Sequence, residues 1–168
     1  MPFRVLLVCT GNTCRSALAE AVLRPLVDAG SRGAEERGMA ACGEIEVASA
    51  GTAAASGAPA TTLAREVALR HGLDLSGHRS TPLTRSGIGR ADLILAMAGE
   101  HAEAVLALAP GAAPRTFLLS EFAGEERKDV PDPMGGTLAE YEGILSALSA
   151  YLERSLPRIL AMVKEDAP

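Results

Sequence analysis

A cysteine and an arginine stand six residues apart near the start of the chain, in the segment 9–16, which reads CTGNTCRS. A loop that follows a strand and leads into a helix directs backbone N–H groups to one point, where the helix dipole adds positive potential. Arg15 can donate two N–H groups to two oxygens of a tetrahedral dianion. Cys9 at the base of such a loop would be stabilised as a thiolate nucleophile, and Ser16 can hydrogen-bond its sulfur. The segment therefore predicts a phosphate-binding loop with a nucleophilic cysteine.

The residues between Cys9 and Arg15 shape this predicted loop. We expect Gly11 to supply left-handed or closely packed backbone. The other members of the predicted phosphate-binding loop are Thr10, Asn12, Thr13 and Cys14. The simpler interpretation is that Cys9 and Cys14 are buried thiols without chemistry, as most free cysteines are.

The chain around this loop alternates predicted strands with predicted helices. Apolar or alternating runs predict strands at residues 4–9, 44–48, 91–97 and 115–119. Apolar residues at helical spacing predict helices at residues 17–29, 60–71, 83–90, 100–109 and from 137 onward. This alternation is typical of βαβ units, so we predict an α/β, three-layer doubly wound fold with a parallel sheet of about four strands. Ligands bind such sheets outside the carboxyl ends of the strands, where the phosphate-binding loop would follow the first strand.

Several boundaries depend on proline, glycine and loop composition. We expect the first strand to be central and the second to lie near an edge of the sheet. Pro25 should kink or end the first helix, and Pro157 should kink or break the last. Gly72 should end the helix before it. Residues 30–43 and 121–136 are predicted to be exposed loops, the first with a helical extension as an alternative.

The composition favours one globular domain over residues 1–168. Hydrophobic residues make up 48% of the chain and charged residues 22%, which excludes intrinsic disorder, while aromatic residues at 3% imply an aliphatic core. A net charge of -5 provides no basic surface for nucleic acid. No apolar run approaches the roughly 20 residues of a membrane span, so no membrane partner is expected. Three cysteines and the absence of a secretory signal predict a cytoplasmic protein without a disulfide framework.

Two motifs carry a resemblance to a known family. The segment 9–16 followed by Ala19-Glu20, together with Asp132-Pro133 before the last predicted helix, resembles the signatures of the low-molecular-weight protein tyrosine phosphatase family. The segment 49–52, His78 and the order of strands and helices over residues 3–160 are similar too. This resemblance implies the same fold and a hydrolase, and the missing spacing of metal ligands leads us to expect an enzyme without a metal or other cofactor.

The resemblance also implies a role for each matching residue. Cys9 would be the nucleophile that forms a phosphocysteine, Arg15 the phosphate clamp and Asp132 the general acid and then base. The residues implied to form a hydrogen-bond network that supports the loop are Asn12, Ser16, Ser49 and His78. The substrate would be a phosphorylated protein, and the product inorganic phosphate. Without Cys9, Asp132 would be interpreted as an ordinary turn residue.

The remaining histidines carry no predicted chemistry. His71 and His101 lie on predicted helices. Both are predicted to be structural residues without partners. The three histidines and the Asp-rich loop lack the spacing of metal ligands.

Two positions bear on which phosphoryl group is removed. Tyrosine-specific relatives usually have a bulkier aliphatic residue where Thr13 stands, and aromatic residues after the Asp-Pro pair, where this chain has Met134, Gly135 and Gly136. An aromatic pair with a substrate ring would contribute about 0.5 to 1.5 kcal/mol, and its absence removes a preference for phosphotyrosine. The segment looks most like the bacterial branch that dephosphorylates protein arginine, in which threonine at the position of Thr13 accompanies that selectivity. An aromatic often stands at the position of Met134 in that branch. Phosphoarginine is slightly favoured over phosphotyrosine.

Three alternatives remain open from the sequence. The first is a protein tyrosine phosphatase proper. The second is an arsenate reductase, which would need resolving cysteines near residues 75–95, whereas the remaining cysteine is Cys42. The third is a non-catalytic phosphate-binding module or thiol sensor, in which Cys9 and Cys14 form a reversible disulfide. Asp132 argues against the third, because a binding module needs no proton donor.

Overall fold

A computed structural model of the chain describes residues 1–36 and 43–165. Four parallel strands form one sheet in the spatial order β2-β1-β3-β4. The strands are β1 (Phe3–Cys9), β2 (Ile45–Gly51), β3 (Leu93–Ala96) and β4 (Thr116–Leu118). The first strand is central and the second lies at an edge, which confirms both predictions.

Six α-helices and one short 3-10 helix connect and cover the strands within the described residues. The α-helices are α1 (Arg15–Glu36), α2 (Thr62–Arg70), α3 (Arg85–Gly89), α4 (Gly99–Leu108), α5 (Leu119–Phe122) and α6 (Leu138–Glu165). The 3-10 helix spans Pro110–Arg115, between α4 and β4. No helix within residues 1–36 and 43–165 combines the length and the apolar character that crossing a membrane requires.

The sheet is buried on both faces because successive side chains of a strand point in opposite directions. Val5 and Leu7 of β1 belong to the core shared with α1, α2, α5 and α6. Leu6 and Val8 belong to the core on the opposite face of the sheet. Ile88 from α3 and Val105 from α4 complete that core. Continuous apolar strands are therefore the sequence signature of this sheet, and the three-layer α/β prediction is confirmed.

The two helices that contain proline are longer than the sequence suggested. Helix α1 continues through Pro25 to Glu36, and α6 continues through Pro157 to Glu165, so the predicted ends at these prolines are wrong. Both prolines are exposed, while Val27 and Ile159 continue the buried faces of their helices. Proline cannot donate a backbone hydrogen bond, but burial of the apolar face stabilises each helix by more than the loss of that bond destabilises it.

The predicted loop at residues 30–43 is therefore helical as far as Glu36. Its remaining part at residues 37–42, which includes Cys42, lies outside the described residues. Helix α2 ends before Gly72, whose φ of +73° is the left-handed conformation expected of a helix terminator. In the predicted loop at 121–136, the first residues belong to the short helix α5.

The connections place one loop at the switch point of the sheet. The chain leaves β1 for β2 on one side and later crosses to β3 on the other side, so the carboxyl ends of all three strands meet at one edge. A crevice opens at such a point in doubly wound sheets. Residues 10–14, which join β1 to α1, lie there.

Candidate active site

Cys9 is the last residue of β1 and lies buried beneath the loop 10–14. Its Sγ is 2.9 Å from the hydroxyl oxygen of Ser16 in the first turn of α1. The backbone N–H of Asn12 donates to the same sulfur at 3.3 Å. Both contacts stabilise negative charge on sulfur, because hydrogen bonds to an ionised acceptor are stronger than neutral ones.

Asn12 holds the loop in its tight conformation. It has a φ of +55°, a left-handed conformation that asparagine adopts more readily than most residues. The left-handed conformation expected of Gly11 is not found there, because the φ of Gly11 is not positive, and that part of the prediction is wrong. A Cβ at Gly11 would meet only the Thr13 hydroxyl oxygen, at an ordinary 3.4 Å. Asn12, rather than Gly11, is therefore the residue that adopts the left-handed conformation in this turn.

The side chain of Asn12 is buried and fully hydrogen-bonded. Its Nδ2 donates to the hydroxyls of Ser16 and Ser49, at 2.8 Å each. Its Oδ1 accepts from the backbone N–H of Thr81 at 2.8 Å. One side chain therefore joins the loop to α1, to β2 and to the connection after α2.

Two further groups extend this network. His78 Nε2 lies 2.6 Å from the carbonyl oxygen of Asn12 and donates to it. The hydroxyl of Ser49 donates to the carboxylate of Glu20 on α1. The structure thus brings together Asn12, Ser16, Ser49 and His78, which come from three separate stretches of the chain.

Gly51 at the carboxyl end of β2 allows this close packing. A Cβ there would lie 2.4 Å from the carbonyl oxygen of Thr10 and 2.9 Å from the backbone nitrogen of Asn12. Real Cβ atoms do not approach backbone that closely, so only glycine fits. Gly51 belongs to the segment 49–52, and no role in the site was predicted for it from the sequence.

Arg15 and Asp132 converge on the open side of the loop. The Arg15 guanidinium is buried, and its Nη1 donates to the carbonyl oxygen of Val130 at 3.0 Å. Its Nη2 lies 3.4 Å from Asp132 Oδ2 and 3.5 Å from the Thr10 hydroxyl oxygen. Asp132 is half exposed, and its Oδ1 accepts from the backbone N–H of Met134 at 3.1 Å. A buried cation and a half-exposed carboxylate therefore lie side by side at the loop.

Met134 and Thr13 lie at different sides of the site. The Met134 side chain is exposed, and with Asp132 it lines a groove of about 670 Å³ between the segment 131–137 and α6. Thr13 is half-buried, and its hydroxyl oxygen is 4.0 Å from Cys14 Sγ. Neither position offers an aromatic side chain to a substrate.

Cys14 faces away from solvent toward two hydroxyl groups. Its Sγ lies 3.3 Å from the Tyr141 hydroxyl of α6 and 3.5 Å from the Thr61 hydroxyl. Burial, and then the hydrogen bond with Cys14, raise the pKa of Tyr141 to about 12. Cys9 and Cys14 are both free thiols, and a disulfide between them stays a hypothesis.

Two histidines that were predicted to lack partners have them. His71 Nε2 is 2.6 Å from Glu142 Oε2 on α6. His101 in the first turn of α4 is buried, and its Nε2 is 2.8 Å from the Thr10 hydroxyl oxygen. Burial, and then the nearby Arg15 charge, lower the pKa of His101. The prediction for His101 is wrong because α4 follows β3, whose carboxyl end lies beside that of β1.

The order of predicted elements held a signal for this contact. A polar residue in the first turn after a neighbouring parallel strand is placed at the same sheet edge as the loop. Tyr141 had a weaker signal, because its ring fits the apolar stripe of α6 and its hydroxyl needs a buried partner.

Within the described ranges, no group of three or more His, Cys, Asp or Glu side chains is arranged to hold a metal ion. The groups that contact the Cys9 sulfur are the Asn12 backbone N–H and the Ser16 hydroxyl, which suit a negatively charged atom. The absence of a cofactor stays a prediction.

Comparison with known proteins agrees with this geometry. Residues 4–168 match the family described as low molecular weight phosphotyrosine protein phosphatase. The chain is 35% identical over 158 residues to a probable low molecular weight protein-tyrosine-phosphatase, EpsP of Ralstonia solanacearum, covering 94% of this chain and 97% of the relative. It is 34% identical over 154 residues to a protein-arginine-phosphatase of Geobacillus stearothermophilus, covering 92% and 94%.

A solved structure shows the same fold. The YwlE arginine phosphatase from Geobacillus stearothermophilus superposes with a TM-score of 0.81 at 32% identity, covering 99% of each chain. The chain belongs to the low molecular weight phosphotyrosine protein phosphatase family, and it is a protein phosphatase, a hydrolase. Its relatives bear both tyrosine and arginine names, so family membership leaves the amino acid open.

Proposed function

We propose that this protein removes phosphoryl groups from protein side chains through a phosphocysteine on Cys9, and that it favours phosphoarginine over phosphotyrosine. The observation that carries the proposal is a hydrogen-bonded Cys9 sulfur at the start of a loop whose Arg15 guanidinium pairs with the Asp132 carboxylate. Cys9 is the nucleophile, Arg15 holds the phosphoryl oxygens, and Asp132 moves the proton.

The first step transfers the phosphoryl group to sulfur. The Cys9 thiolate attacks phosphorus, and the bond between phosphorus and the leaving nitrogen or oxygen breaks. The protonated carboxyl of Asp132 gives its proton to that leaving atom. Backbone amides of the loop and the Arg15 guanidinium stabilise the charge on the phosphoryl oxygens.

The second step returns the enzyme to its starting state. Water attacks the phosphocysteine, and the Asp132 carboxylate accepts a proton from the water. The bond between sulfur and phosphorus breaks, its electron pair stays on the Cys9 thiolate, and inorganic phosphate leaves. The Ser16 hydroxyl, 2.9 Å from the sulfur, stabilises the departing thiolate.

The proposed preference for phosphoarginine is supported by the charge of Asp132 and by the side chains at positions 13 and 134–136. Asp132 already pairs with one guanidinium, that of Arg15, and half of its side chain is exposed. Once Asp132 has given its proton to the leaving nitrogen, its carboxylate can therefore pair with the guanidinium of the arginine that leaves. Thr13 offers a hydroxyl, whereas an aliphatic residue there would offer only bulk. The exposed Met134 and the two glycines after it provide no ring to stack on a phenol.

Side-by-side turnover of a phosphoarginine peptide and a phosphotyrosine peptide tests the preference. We expect kcat/KM to be higher for phosphoarginine in the parent protein. Thr13→Ile should shift the ratio of the two values toward phosphotyrosine by about tenfold, the effect of one polar contact. Thr13→Val separates the lost hydroxyl from the added bulk, because valine keeps the shape of threonine.

Two controls make the result decisive. Cys9→Ser should abolish turnover and still bind vanadate, because Arg15 and the loop amides remain. A colourless aryl phosphate that yields its coloured phenol at mildly acidic pH separates an enzyme from a phosphate-binding module. A parent preference for phosphotyrosine, or an unchanged ratio in Thr13→Ile, would overturn the arginine preference and leave the tyrosine alternative.

A further inference from the structure

The imidazole of His101 is buried against the phosphate-binding loop, and neither proposed chemical step uses it. His101 is 1% exposed and lies in the first turn of α4, directly after β3. The Met97 N–H donates to the Val8 carbonyl at 2.9 Å, which ties the end of β3 to the end of β1. The sheet therefore fixes α4, and His101 with it, beside the loop that follows Cys9.

A chain of hydrogen bonds leads from His101 to the phosphate-binding guanidinium. His101 Nε2 is 2.8 Å from the Thr10 hydroxyl oxygen, and that oxygen is 3.5 Å from Arg15 Nη2. A guanidinium can only donate, so the Thr10 oxygen accepts from Arg15. The bond between Thr10 and His101 uses either the hydroxyl proton or the Nε2 proton, and in both cases the hydroxyl links the two side chains.

His101 is a poor residue for filling space at this position. Its Nδ1 is buried without a hydrogen-bond partner. A buried polar atom that is left unpaired destabilises the folded state, and an apolar side chain of similar size would avoid that cost. Packing therefore does not account for the imidazole, whereas its bond to Thr10 gives it a use.

The surroundings keep the imidazole neutral. Burial and the Arg15 charge lower its pKa, while Glu100 on its own helix and Asp129 and Asp132 from the segment after α5 oppose that shift. A cationic His101 would place a second positive charge beside Arg15 and would leave a buried N–H unpaired. A neutral imidazole avoids the second charge, and in its Nε2–H tautomer it also avoids the unpaired N–H.

We propose that neutral His101 is a positioning residue for phosphoryl transfer, which sets the Arg15 guanidinium through its hydrogen bond to the Thr10 hydroxyl. The inference rests on the proposed function, because it takes Arg15 as the group that holds the phosphoryl oxygens. Misplacing a group that stabilises the transition state lowers kcat more than it changes substrate binding.

Four variants interrupt or preserve the hydrogen bond. His101→Leu removes it, and Thr10→Val removes it from the other side without changing the shape of the loop residue. His101→Gln places an amide near the position of Nε2 and keeps the bond. His101→Asn places its amide near Nδ1, too far from Thr10, and is the matched control for glutamine.

The expected result is a pattern across kinetics and binding. His101→Leu and His101→Asn should each lower kcat on an aryl phosphate by about tenfold, as should Thr10→Val. His101→Gln should recover kcat to within about threefold of the parent. The double variant His101→Leu/Thr10→Val should be no slower than either single variant, because both changes break one link. Affinity for inorganic phosphate, measured by calorimetry, should follow the same order.

Three outcomes would overturn the proposal. Equal losses in His101→Leu and His101→Gln would mean that the hydrogen bond is not what matters. Multiplied losses in the double variant would mean that the two residues act separately. A lower Tm with unchanged kcat and phosphate affinity in the single variants would mean that His101 only stabilises the fold.

The test separates this inference from the proposed function. An aryl phosphate reports the loop chemistry irrespective of which amino acid the enzyme prefers, so a parent that favours phosphotyrosine does not affect the comparison. If the parent binds phosphate without turning over any substrate, the phosphatase proposal fails, and phosphate affinity still decides the role of His101. If His101→Leu does not fold, Thr10→Val and His101→Gln still give the comparison.

Discussion

Asp132 differs from the other two residues that are proposed to carry the chemistry. Cys9 and Arg15 are buried, whereas the Asp132 side chain is 52% exposed. Its Oδ1 is held by the Met134 N–H, and its Oδ2 lies 3.4 Å from Arg15 Nη2. A carboxyl that is held by these two contacts but exposed to solvent can reach leaving groups of different size. Proton transfer is therefore the part of the mechanism that depends on the leaving group.

Asp132→Asn tests this role, because asparagine keeps the shape and the contact with the Met134 N–H but cannot transfer a proton. We expect kcat to fall by about a hundredfold or more for phenyl phosphate, whose leaving group needs protonation. With an activated nitrophenyl phosphate the first step should lose less. The second step should still lack its base, so a burst of phenol should precede slow turnover.

Asp74→Asn is the matched control for this variant. Asp74 Oδ1 accepts a hydrogen bond at 2.8 Å from the backbone N–H two residues later, and Asp132 Oδ1 accepts a bond of the same type. Asp74 lies after α2, in a groove that Asp132 does not line. Its kinetics should match the parent. An equal loss for both leaving groups without a burst in Asp132→Asn would contradict the role in proton transfer.

At the scale of elements, the site depends on how closely the end of β2 packs against the loop. The Thr52 N–H donates to the Cys9 carbonyl, and the Ala53 N–H donates to the Thr10 carbonyl, at 2.9 Å each. These bonds require Gly51, where a Cβ would collide with the Thr10 carbonyl oxygen. The loop is therefore held from outside as well as by Asn12.

Gly51→Ala should displace the loop, since the atoms that its Cβ meets are two backbone atoms and the Cβ of Ala54, and none of them can rotate away. We expect a loss of about 1–3 kcal/mol in the free energy of unfolding, the usual effect of overpacking. The value of kcat/KM on an aryl phosphate should fall by about tenfold or more, because the reacting groups lose their alignment. Denaturant unfolding and steady-state kinetics measure the two effects.

Gly111→Ala is the control for this substitution. Gly111 is exposed, and a Cβ there meets nothing within 4 Å. Its stability should stay within about 0.5 kcal/mol of the parent, with unchanged kinetics. If Gly51→Ala behaves like Gly111→Ala, the end of β2 does not constrain the loop.

At the scale of the whole molecule, the buried His101 links stability to pH. The pKa of His101 in the folded protein lies below the 6.5 of a free imidazole. Between those two values the unfolded chain binds a proton that the native protein does not, so stability falls as the pH falls. Above about pH 6.5, the titration of His101 costs the folded protein no stability. Below that pH, the free energy of unfolding decreases as the protein is acidified.

Comparing the parent with His101→Gln isolates this contribution, because glutamine does not titrate and all other groups are shared. We expect the free energy of unfolding of the parent to decline relative to the variant below pH 6.5, by at most about 1.4 kcal/mol per pH unit. Urea unfolding at pH 7.5, 6.5, 5.5 and 5.0 measures it. A difference that stays constant across this range would contradict a neutral, buried imidazole in the native state. A single transition in these curves would also support the predicted single domain over residues 1–168.

The segment 9–16 and the order of strands and helices could be predicted because both are local properties of the chain. A nucleophile, an arginine and a helix start within eight residues define a loop whichever side chains surround it. Apolar runs define strands that are buried on both faces, and helical spacing defines the covering helices. The fold class followed from these patterns, and so did the place of the loop at the carboxyl end of β1.

The tertiary structure decided what surrounds that loop, because the contacts come from segments far apart in the sequence. His101 lies 91 positions after Thr10, and Tyr141 lies 127 after Cys14, so no local pattern marks either pair. The burial of α1 and α6 likewise overrode Pro25 and Pro157, since packing energy along a whole helix face exceeds the loss of one hydrogen bond. The left-handed residue moved from Gly11 to Asn12, because buried partners on α1, on β2 and after α2 hold the Asn12 side chain in place. Spacing along the chain therefore indicated the chemistry proposed for this protein, and packing between distant segments determined the conformation in which the residues of that site are held.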